Sequence, residues 1–430
     1  MKTIVIVGGG AAGLMAAISA SAGNNRVILL ERMEKPGRKL YITGKGRCNV
    51  TTACPPEEFL SAVITNPRFL YSSFASFNNQ DMIGFLNEAG LKTKVERGQR
   101  VFPESDRAAD VIDTLKRECS RRKVRIHCHS RVTEILTEDV EPDPSGKSKQ
   151  KSRVTGLKLE DGETIACDAL ILACGGKSYP STGSDGSGYR LAEQTGHRIM
   201  ELQPSLVPFV IREGWCKDLT GLSLKNVSVT VKNGKKKVYE GFGEMLFTHF
   251  GVSGPLILTA STCLGAHQKA LIAGSLTLHL DLKPALDHEQ LDQRFLRELD
   301  TWRNKKITNV IERMLPRKMV PVFLSYAELD ENIRARDVTK KDRRRMVESM
   351  KNLMIHIQGV RGFQEAIVTR GGVNVKQVDP ATMESRLVRG LYFAGEILDV
   401  DAVTGGYNLQ IAWSTGRAAG IAAGKHQNED

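Results

Sequence analysis

Three glycines near the N-terminus have the spacing of a nucleotide-binding turn. Gly8, Gly10 and Gly13 stand between an apolar run, 3–7, and an Ala-rich segment that starts at Ala11. The first glycine permits a tight turn, the second lets the backbone approach a pyrophosphate, and the third allows close helix packing. The N-terminus of the following helix offers free N–H groups and a partial positive charge. The alternative is that these glycines only shape a turn.

An acidic residue follows at the position where a ribose would lie. Glu31 ends a second apolar run and comes 18 residues after Gly13. A carboxylate there can accept hydrogen bonds from both ribose hydroxyls, and it disfavours a 2′-phosphate. These features address only the ADP half of a cofactor, which NAD and FAD share.

A second motif, near the C-terminus, distinguishes FAD from NAD as the predicted cofactor. The apolar run 391–394 ends in Gly395 and Glu396, and Gly405 and Gly406 then open the last predicted helix. A helix N-terminus aimed at the flavin ring would stabilise the negative charge that builds on reduction. The presence of both motifs, one near each end of the sequence, predicts FAD. The alternative is a buried strand followed by a well-capped helix.

Two further glycine-rich segments are predicted to contact the cofactor. One is the apolar run that ends at Cys174 and Gly175, and the other is the cation-rich segment 37–51, for which a solvent loop is the alternative. Arg and Lys in the second segment can pair with phosphates. The complete predicted cofactor site comprises Gly8, Gly10, Ala11, Ala12, Gly13, Glu31, Arg32, Arg38, Lys39, Gly44, Arg47, Cys48, Asn49, Val132, Ala173, Cys174, Gly175, Gly395, Glu396, Gly406, Tyr407, Asn408 and Leu409.

Candidates for catalysis are few, because a flavin itself accepts or donates the hydride. His249 stands in a Gly/Ser/Pro-rich loop and could relay a proton, or it could be a structural histidine. Cys48 could be a reactive thiol, with packing as the alternative. Arg47 could bind an anionic substrate, although a phosphate fits its surroundings better. No metal site is predicted, because the scattered cysteines contain no C-x-x-C pair.

These motifs require a Rossmann-type α/β domain to position them. Apolar runs flanked by glycine predict buried parallel strands, and the alternating segments that begin near 190 predict an antiparallel sheet or barrel. Residues 284–352 are charged and helix-rich, with a capping box from Thr339 to Asp342. The strand-like runs 132–137, 154–159 and 164–173 predict a β-meander with a mobile surface loop at 139–152. The predicted domains are an FAD-binding domain at 1–190 and 356–430, an inserted β-rich domain at 191–283 and 353–355, and a helical subdomain at 284–352.

The sequence resembles a family of bacterial FAD proteins described as NAD(FAD)-utilising dehydrogenases, which includes aminoacetone oxidase and BaiN-like bile-acid reductases. The resemblance covers essentially the whole chain. It implies a glutathione-reductase-type FAD domain interrupted by a β-rich, barrel-like domain with a small helical part, and it suggests that Val132 contacts adenine through its backbone. The resemblance rests on the segments 4–13, 46–51, 101–106, 247–255, 369–372 and 390–410.

Charge and cysteine content limit the partners and the compartment. The net charge is +12, and the basic runs lack interleaved aromatic residues, so solvated faces are favoured over a nucleic-acid site without excluding one. The eight cysteines are scattered, which indicates reduced thiols and a cytoplasmic protein. Three glycines interrupt the only segment that imitates a secretory signal, and no apolar run is long enough to cross a membrane. The oligomeric state is left open.

Three functions remain at this point. The first is an FAD-dependent oxidoreductase that acts on a small substrate. It could be an oxidase, or a reductase to which NAD(P)H docks transiently, because no second GxGxxG motif is present. The second is an FAD-dependent RNA-modifying enzyme, suggested by the basic charge. The third is a flavin-containing sensor without turnover.

Overall fold

The computed structural model describes residues 1–141 and 150–425, so most of the predicted loop at 139–152 lies outside the described residues. The chain divides into two compact units, Met1–Ser205 with Phe363–Asp430 and Leu206–Gly362. The three-domain division drawn from the sequence stays a prediction.

The described residues form strands and helices in alternating groups. In chain order the strands are β1 (Thr3–Val7), β2 (Arg26–Leu30), β3 (Thr51–Thr52), β4 (Thr93–Glu96), β5 (Arg100–Pro103), β6 (Arg125–His127), β7 (Val132–Asp139), β8 (Ser152–Leu159), β9 (Thr164–Ala166), β10 (Ala169–Leu172), β11 (Ile199–Ser205), β12 (Phe209–Ile211), β13 (Ser223–Asn233), β14 (Lys236–Thr248), β15 (Gly251–Ser253), β16 (Leu276–Asp281), β17 (Leu353–Val360), β18 (Val368–Val373), β19 (Val388–Arg389) and β20 (Leu391–Phe393). The α-helices are α1 (Ala11–Ala20), α2 (Arg38–Ile42), α3 (Pro56–Ser61), α4 (Tyr71–Ser76), α5 (Asn79–Glu88), α6 (Ala108–Arg121), α7 (Ser187–Gln194), α8 (Pro255–Thr262), α9 (Gln268–Ile272), α10 (His288–Thr301), α11 (Ile307–Ile311), α12 (Val320–Tyr326), α13 (Lys340–Lys351) and α14 (Tyr407–Gly424).

A five-stranded parallel sheet organises the first unit. Its order is β20-β10-β1-β2-β6, with β1 paired to β2 and β10 on its two sides. The apolar run predicted as a strand is fully buried at its centre, as a parallel strand covered on both faces must be. The indole of Trp413 on α14 is also buried, and its N–H donates to the carbonyl of Val50 at 2.9 Å. The predicted Rossmann-type fold is confirmed.

The predicted third strand of the meander, 164–173, is wrong as a single element. The structure divides it into β9, which pairs antiparallel with β8, and β10, which enters the parallel sheet beside β1. Asp168 stands at the division, and its carboxylate accepts a hydrogen bond from the N–H of Thr3 at 2.7 Å. The sequence did not reveal this transfer, because no glycine or proline separates β9 from β10, although only β10 is fully buried.

The second unit contains a closed barrel with the strand order β12-β15-β14-β13-β16-β17. Buried and half-buried residues alternate along β16, as the pleat of a barrel wall requires. Helices α10 to α13 follow this strand in the chain. The predicted capping box is confirmed at the start of α13, where Thr339 and Asp342 exchange hydrogen bonds. None of the helices in the described ranges is long and apolar enough to cross a membrane.

A buried histidine in the first unit predicts pH-dependent stability. His197 is 3% exposed. Its ring nitrogens contact the hydroxyls of Thr195 at 2.9 Å and Ser385 at 2.8 Å. Burial lowers the pKa of His197 from 6.5 to about 4. The unfolded chain therefore binds more protons between these values, so stability is fully present above pH 6.5 and is lost as the pH falls towards 4.

We expect this histidine to contribute on the order of 3 kcal/mol to the loss of stability across that interval. Thermal unfolding of wild type and His197→Asn at pH 7.0 and pH 4.5 measures it. At pH 7.0 the variant should have a lower Tm than wild type, but its Tm should fall less than that of wild type between pH 7.0 and pH 4.5. Equal losses in both proteins would contradict a neutral, buried His197.

Candidate functional site

A cavity of about 190 Å³ lies within the first unit, at the carboxyl ends of β1, β2 and β10 and beside the first turns of α1 and α14. In open parallel sheets, ligands bind at this edge. The lining contains the predicted site residues Gly8, Gly10, Ala11, Ala12, Glu31, Arg32, Arg38, Lys39, Val132, Ala173, Cys174, Gly175, Glu396, Asn408 and Leu409. The structure therefore brings together both ends of the chain around one space.

The first turn of α1 fits a phosphate. Gly10 is the N-cap in an extended conformation, no side chain caps the helix, and its first turn holds no acidic residue. The first N–H groups of a helix have no partner within the helix, so they are available to an anion. A Cβ built on Gly10 meets no atom within 4 Å, because this glycine faces the cavity.

The other two glycines of the motif serve packing. A Cβ on Gly13 would lie 1.8 Å from the carbonyl oxygen of Gly8, and a Cβ on Gly8 would lie 2.4 Å from that of Ala173. Gly8 also has a φ of +107°, which a side chain would strain. Gly13 lies outside the cavity lining. A backbone contact between Gly13 and the cofactor stays a prediction.

Glu31 is held in place by backbone donors. One carboxylate oxygen accepts from the N–H of Gly9 and the other from that of Met33, both at 2.8 Å. The side chain is buried and borders the cavity. Each carboxylate oxygen has a second lone pair, so the fixed carboxylate can still accept from ribose hydroxyls.

Glu396 joins three distant segments of the cavity wall. Its carboxylate accepts hydrogen bonds from Lys39 Nζ at 2.6 Å, from Ser178 Oγ at 2.8 Å and from the N–H of Thr369 at 2.8 Å. The ammonium of Lys39 also donates to Ser178 Oγ at 2.6 Å. Sequence reasoning missed Ser178, whose only signal is its position just after the turn at Gly175.

A second unpredicted residue, Asp185, stands in sequence between Ser184 and Ser187 of the cavity lining. Asp185 forms a salt bridge with Arg32, and its carboxylate accepts from the N–H of Ser187 at 2.9 Å. Burial alone would raise the pKa of Asp185, but these hydrogen bonds outweigh it and lower the pKa to about 2. The salt bridge thereby fixes Arg32, which lines the cavity together with Val132.

The first turn of α14 provides the opposite wall. Its N-cap is Gly406, with a φ of +101°, no side-chain cap and no acidic residue in the first turn. Asn408 is fixed by two hydrogen bonds to the backbone of Ala402, at 3.0 and 2.9 Å. Gly395, Gly406 and Tyr407 lie outside the lining. Gly395 packs on Ala12, and the ring of Tyr407 lies 5.3 Å from that of Phe59.

The segment with Gly44, Arg47, Cys48 and Asn49 lies outside the cavity lining. The guanidinium of Arg47, which was predicted to bind a phosphate, forms ion pairs with the carboxylates of Glu96 and Asp106. The side-chain oxygen of Asn49 is buried without a hydrogen-bond partner in the described chain, and it remains available as an acceptor. Cofactor contacts of Gly44, Arg47, Cys48 and Asn49 stay predictions.

The thiol of Cys48, the second catalytic candidate, lies in the core of the first unit. The side chain is fully buried, and burial raises the pKa of Cys48 to about 12. Burial of the thiol favours packing over reactivity, and a catalytic role of Cys48 stays a prediction. His249 lies on the exposed turn between β14 and β15 in the second unit, with its ring against Phe250. A catalytic role of His249 stays a prediction.

Removal of the cation at Lys39 tests whether the Lys39–Glu396 pair contributes to cofactor binding. Lys39→Met is expected to weaken FAD binding at least about tenfold, because it deletes one charge-assisted donor and leaves Glu396 as an unbalanced negative charge near the phosphates. Fluorescence titration of the apoprotein with FAD measures the Kd. The control is Lys35→Met, an exposed lysine outside the lining. Equal affinities in Lys39→Met and the control would exclude this role.

Comparison with known proteins gives the chain a family. Residues 2–422 match the HI0933-like protein Rossmann domain. The chain is 33% identical over 427 residues to a 3-dehydro-bile acid delta(4,6)-reductase of Clostridium scindens, covering 98% of this chain and 99% of that protein. It is 30% identical over 417 residues to a ribosomal RNA dihydrouridine synthase of Escherichia coli, covering 96% and 95%. A protein of the same name from Haemophilus influenzae is 31% identical over 421 residues, with 97% of each chain covered.

One solved structure supports the fold. A 3-ketosteroid delta1-dehydrogenase from Sterolibacterium denitrificans superimposes with a TM-score of 0.52 at 16% identity, covering 99% of this chain and 100% of that chain. The open α1 terminus, the fixed carboxylate of Glu31 and the cation of Lys39 fit the phosphates and ribose of a dinucleotide. With these residues in place, the chain belongs to the HI0933-like Rossmann-domain family and is an FAD-dependent oxidoreductase.

Proposed function

We propose that this oxidoreductase reduces a carbon–carbon double bond conjugated to a carbonyl, with NAD(P)H as the electron donor. The observation that carries the proposal is the shared bond chemistry of the three relatives. A delta(4,6)-reductase of a 3-oxo steroid and a dihydrouridine synthase both saturate such a bond, although their substrates differ in size. A small organic substrate is the first candidate.

The cofactor would supply hydride chemistry at its ring, and the chain would supply binding and polarisation. The N–H groups at the start of α1 would bind the pyrophosphate, with Lys39 as a further cation. Glu31 would orient the adenosine ribose. The uncapped first turn of α14 would face the ring and stabilise negative charge there, which favours the reduced state.

An anaerobic experiment tests this function. We expect NADH or NADPH alone to bleach the flavin of the purified protein, and a 3-oxo-4-ene steroid to restore the oxidised spectrum in the absence of oxygen. Bleaching by an amine but by neither nicotinamide would indicate an oxidase and contradict the proposal. A saturated 3-oxo steroid is the control, because it lacks the double bond.

A second candidate substrate is a uracil base within RNA. Two of the relatives carry this activity in their names, and most of the net positive charge lies in one unit of the chain. Residues 206–362, the second unit, hold 26 Lys and Arg against 17 Asp and Glu, which is +9 of the net +12 of the chain. Incubation of unmodified ribosomal RNA with the protein and NADPH should yield nucleosides that carry two additional hydrogen atoms by mass spectrometry.

A further inference from the structure

Two short segments of the second unit come together by backbone pairing. The N–H of Ile307 donates to the carbonyl of Ile333 at 2.8 Å, and the N–H of Ala335 donates to the carbonyl of Lys305 at 2.9 Å. Lys306 and Arg334 face each other across an antiparallel bridge. This pairing gathers five exposed cations, which we call the basic surface: Arg303, Lys305, Lys306, Arg334 and Arg336.

The basic surface is poorly neutralised by the protein itself. Within the described chain, its one ion pair joins Arg336 to the adjacent Asp337 at 3.7 Å, and Lys306 Nζ donates to the neutral amide of Asn332 at 2.8 Å. Like charges placed opposite each other across a strand pair are destabilising. Folding alone therefore does not favour the Lys306–Arg334 arrangement.

Two other arginines of the same unit are neutralised by carboxylates. Arg343 pairs with Asp292 at 2.6 Å, and Arg345 pairs with Asp342 at 2.6 Å and with Glu328 at 3.0 Å. Arg343 and Arg345 are thus neutralised by carboxylates, whereas four of the five cations of the basic surface form no ion pair within the described chain. Such a local excess is the electrostatic footprint of a polyanion site.

We propose that the basic surface binds the phosphate backbone of RNA. The proposal rests on the second candidate substrate above and gives it a binding surface outside the cofactor cavity. An anionic membrane is the competing partner for a basic surface. It is less suited, because none of the large exposed hydrophobic side chains in the described chain lies in either segment, and insertion of such side chains strengthens membrane binding.

The test measures binding, independently of turnover. A fluorescent 20-nucleotide RNA is titrated with the FAD-loaded wild type by anisotropy at several salt concentrations. Five contacts to single-stranded phosphates predict a loss of affinity of about 100-fold between 50 and 200 mM salt. The variant Arg303→Gln/Lys305→Gln/Arg334→Gln keeps two phosphate contacts. Its RNA affinity should fall only about sevenfold over the same salt range, and it should bind RNA more weakly than wild type at 50 mM salt.

The matched control is Lys232→Gln/Lys235→Gln/Lys236→Gln, which removes the same charge at another place in the unit, the hairpin between β13 and β14. We expect the control to keep the salt dependence of wild type. An equal loss of RNA affinity in both triple variants would show that binding depends on net charge alone, and it would overturn the proposal. Absence of RNA binding by wild type at 50 mM salt would overturn it as well. Tighter binding to phosphatidylserine vesicles than to RNA would also overturn it. Flavin bleaching by NAD(P)H is measured on the same samples, so failure of the redox proposal is seen separately.

Discussion

Gly10→Val is expected to yield a folded protein that binds FAD about 100-fold to 10,000-fold more weakly than wild type. The substitution would place a branched side chain in the space where the first N–H groups of α1 meet the pyrophosphate. Loss of two charge-assisted hydrogen bonds, each contributing about 1.5–3 kcal/mol, gives this range. Titration of the apoprotein with FAD measures the change.

The fold itself should tolerate the change. Gly10 has a φ of −83° and a ψ of −165°, which valine adopts readily, and a Cβ there meets no neighbour within 4 Å. Gly84→Val is the matched control, because a Cβ at this position on α5 also meets no atom within 4 Å and lies outside the cavity. Normal flavin content in Gly10→Val would refute the placement of the phosphate.

Gly13→Ala is expected to act on folding instead of binding. Its Cβ would lie 1.8 Å from the carbonyl oxygen of Gly8, and backbone atoms cannot move aside as a side chain can. Overpacking of this kind costs about 3 kcal/mol, and a loss of this size lowers the Tm by about 6 °C or more. Thermal unfolding of the apoprotein measures the shift, with Gly84→Ala as the control. An unchanged Tm would show that α1 does not pack on the Gly8 turn as described.

Sequence reasoning predicted the part of the site that is encoded locally. Gly10, Glu31 and the turn before α14 each stand at a strand end or a helix start, so their neighbours in sequence indicate their place in the fold. The parallel sheet and the barrel were predictable for the same reason, because the apolar runs and the alternation are local patterns.

The remainder depends on tertiary contacts between distant segments. Glu396 meets Lys39 and Ser178 from 357 and 218 residues away, and no periodicity signals such a contact. The same limit applies to the ion pairs of Arg47 with Glu96 and Asp106, which lie 49 and 59 residues further along the chain. Cys48 follows this pattern as well, since its burial depends on packing that its glycine-rich sequence does not reveal.

The central claim is that one cavity in the first unit holds both halves of FAD, with the ADP half at the N-terminus of α1. The most direct measurement is the titration of the apoprotein with FAD, and with FMN as the flavin that lacks the ADP half. The structure predicts retention of FAD through gel filtration, competition by ADP, and weak binding of FMN. A protein that takes up no flavin in excess FAD, or that binds FMN as tightly as FAD, would contradict the account.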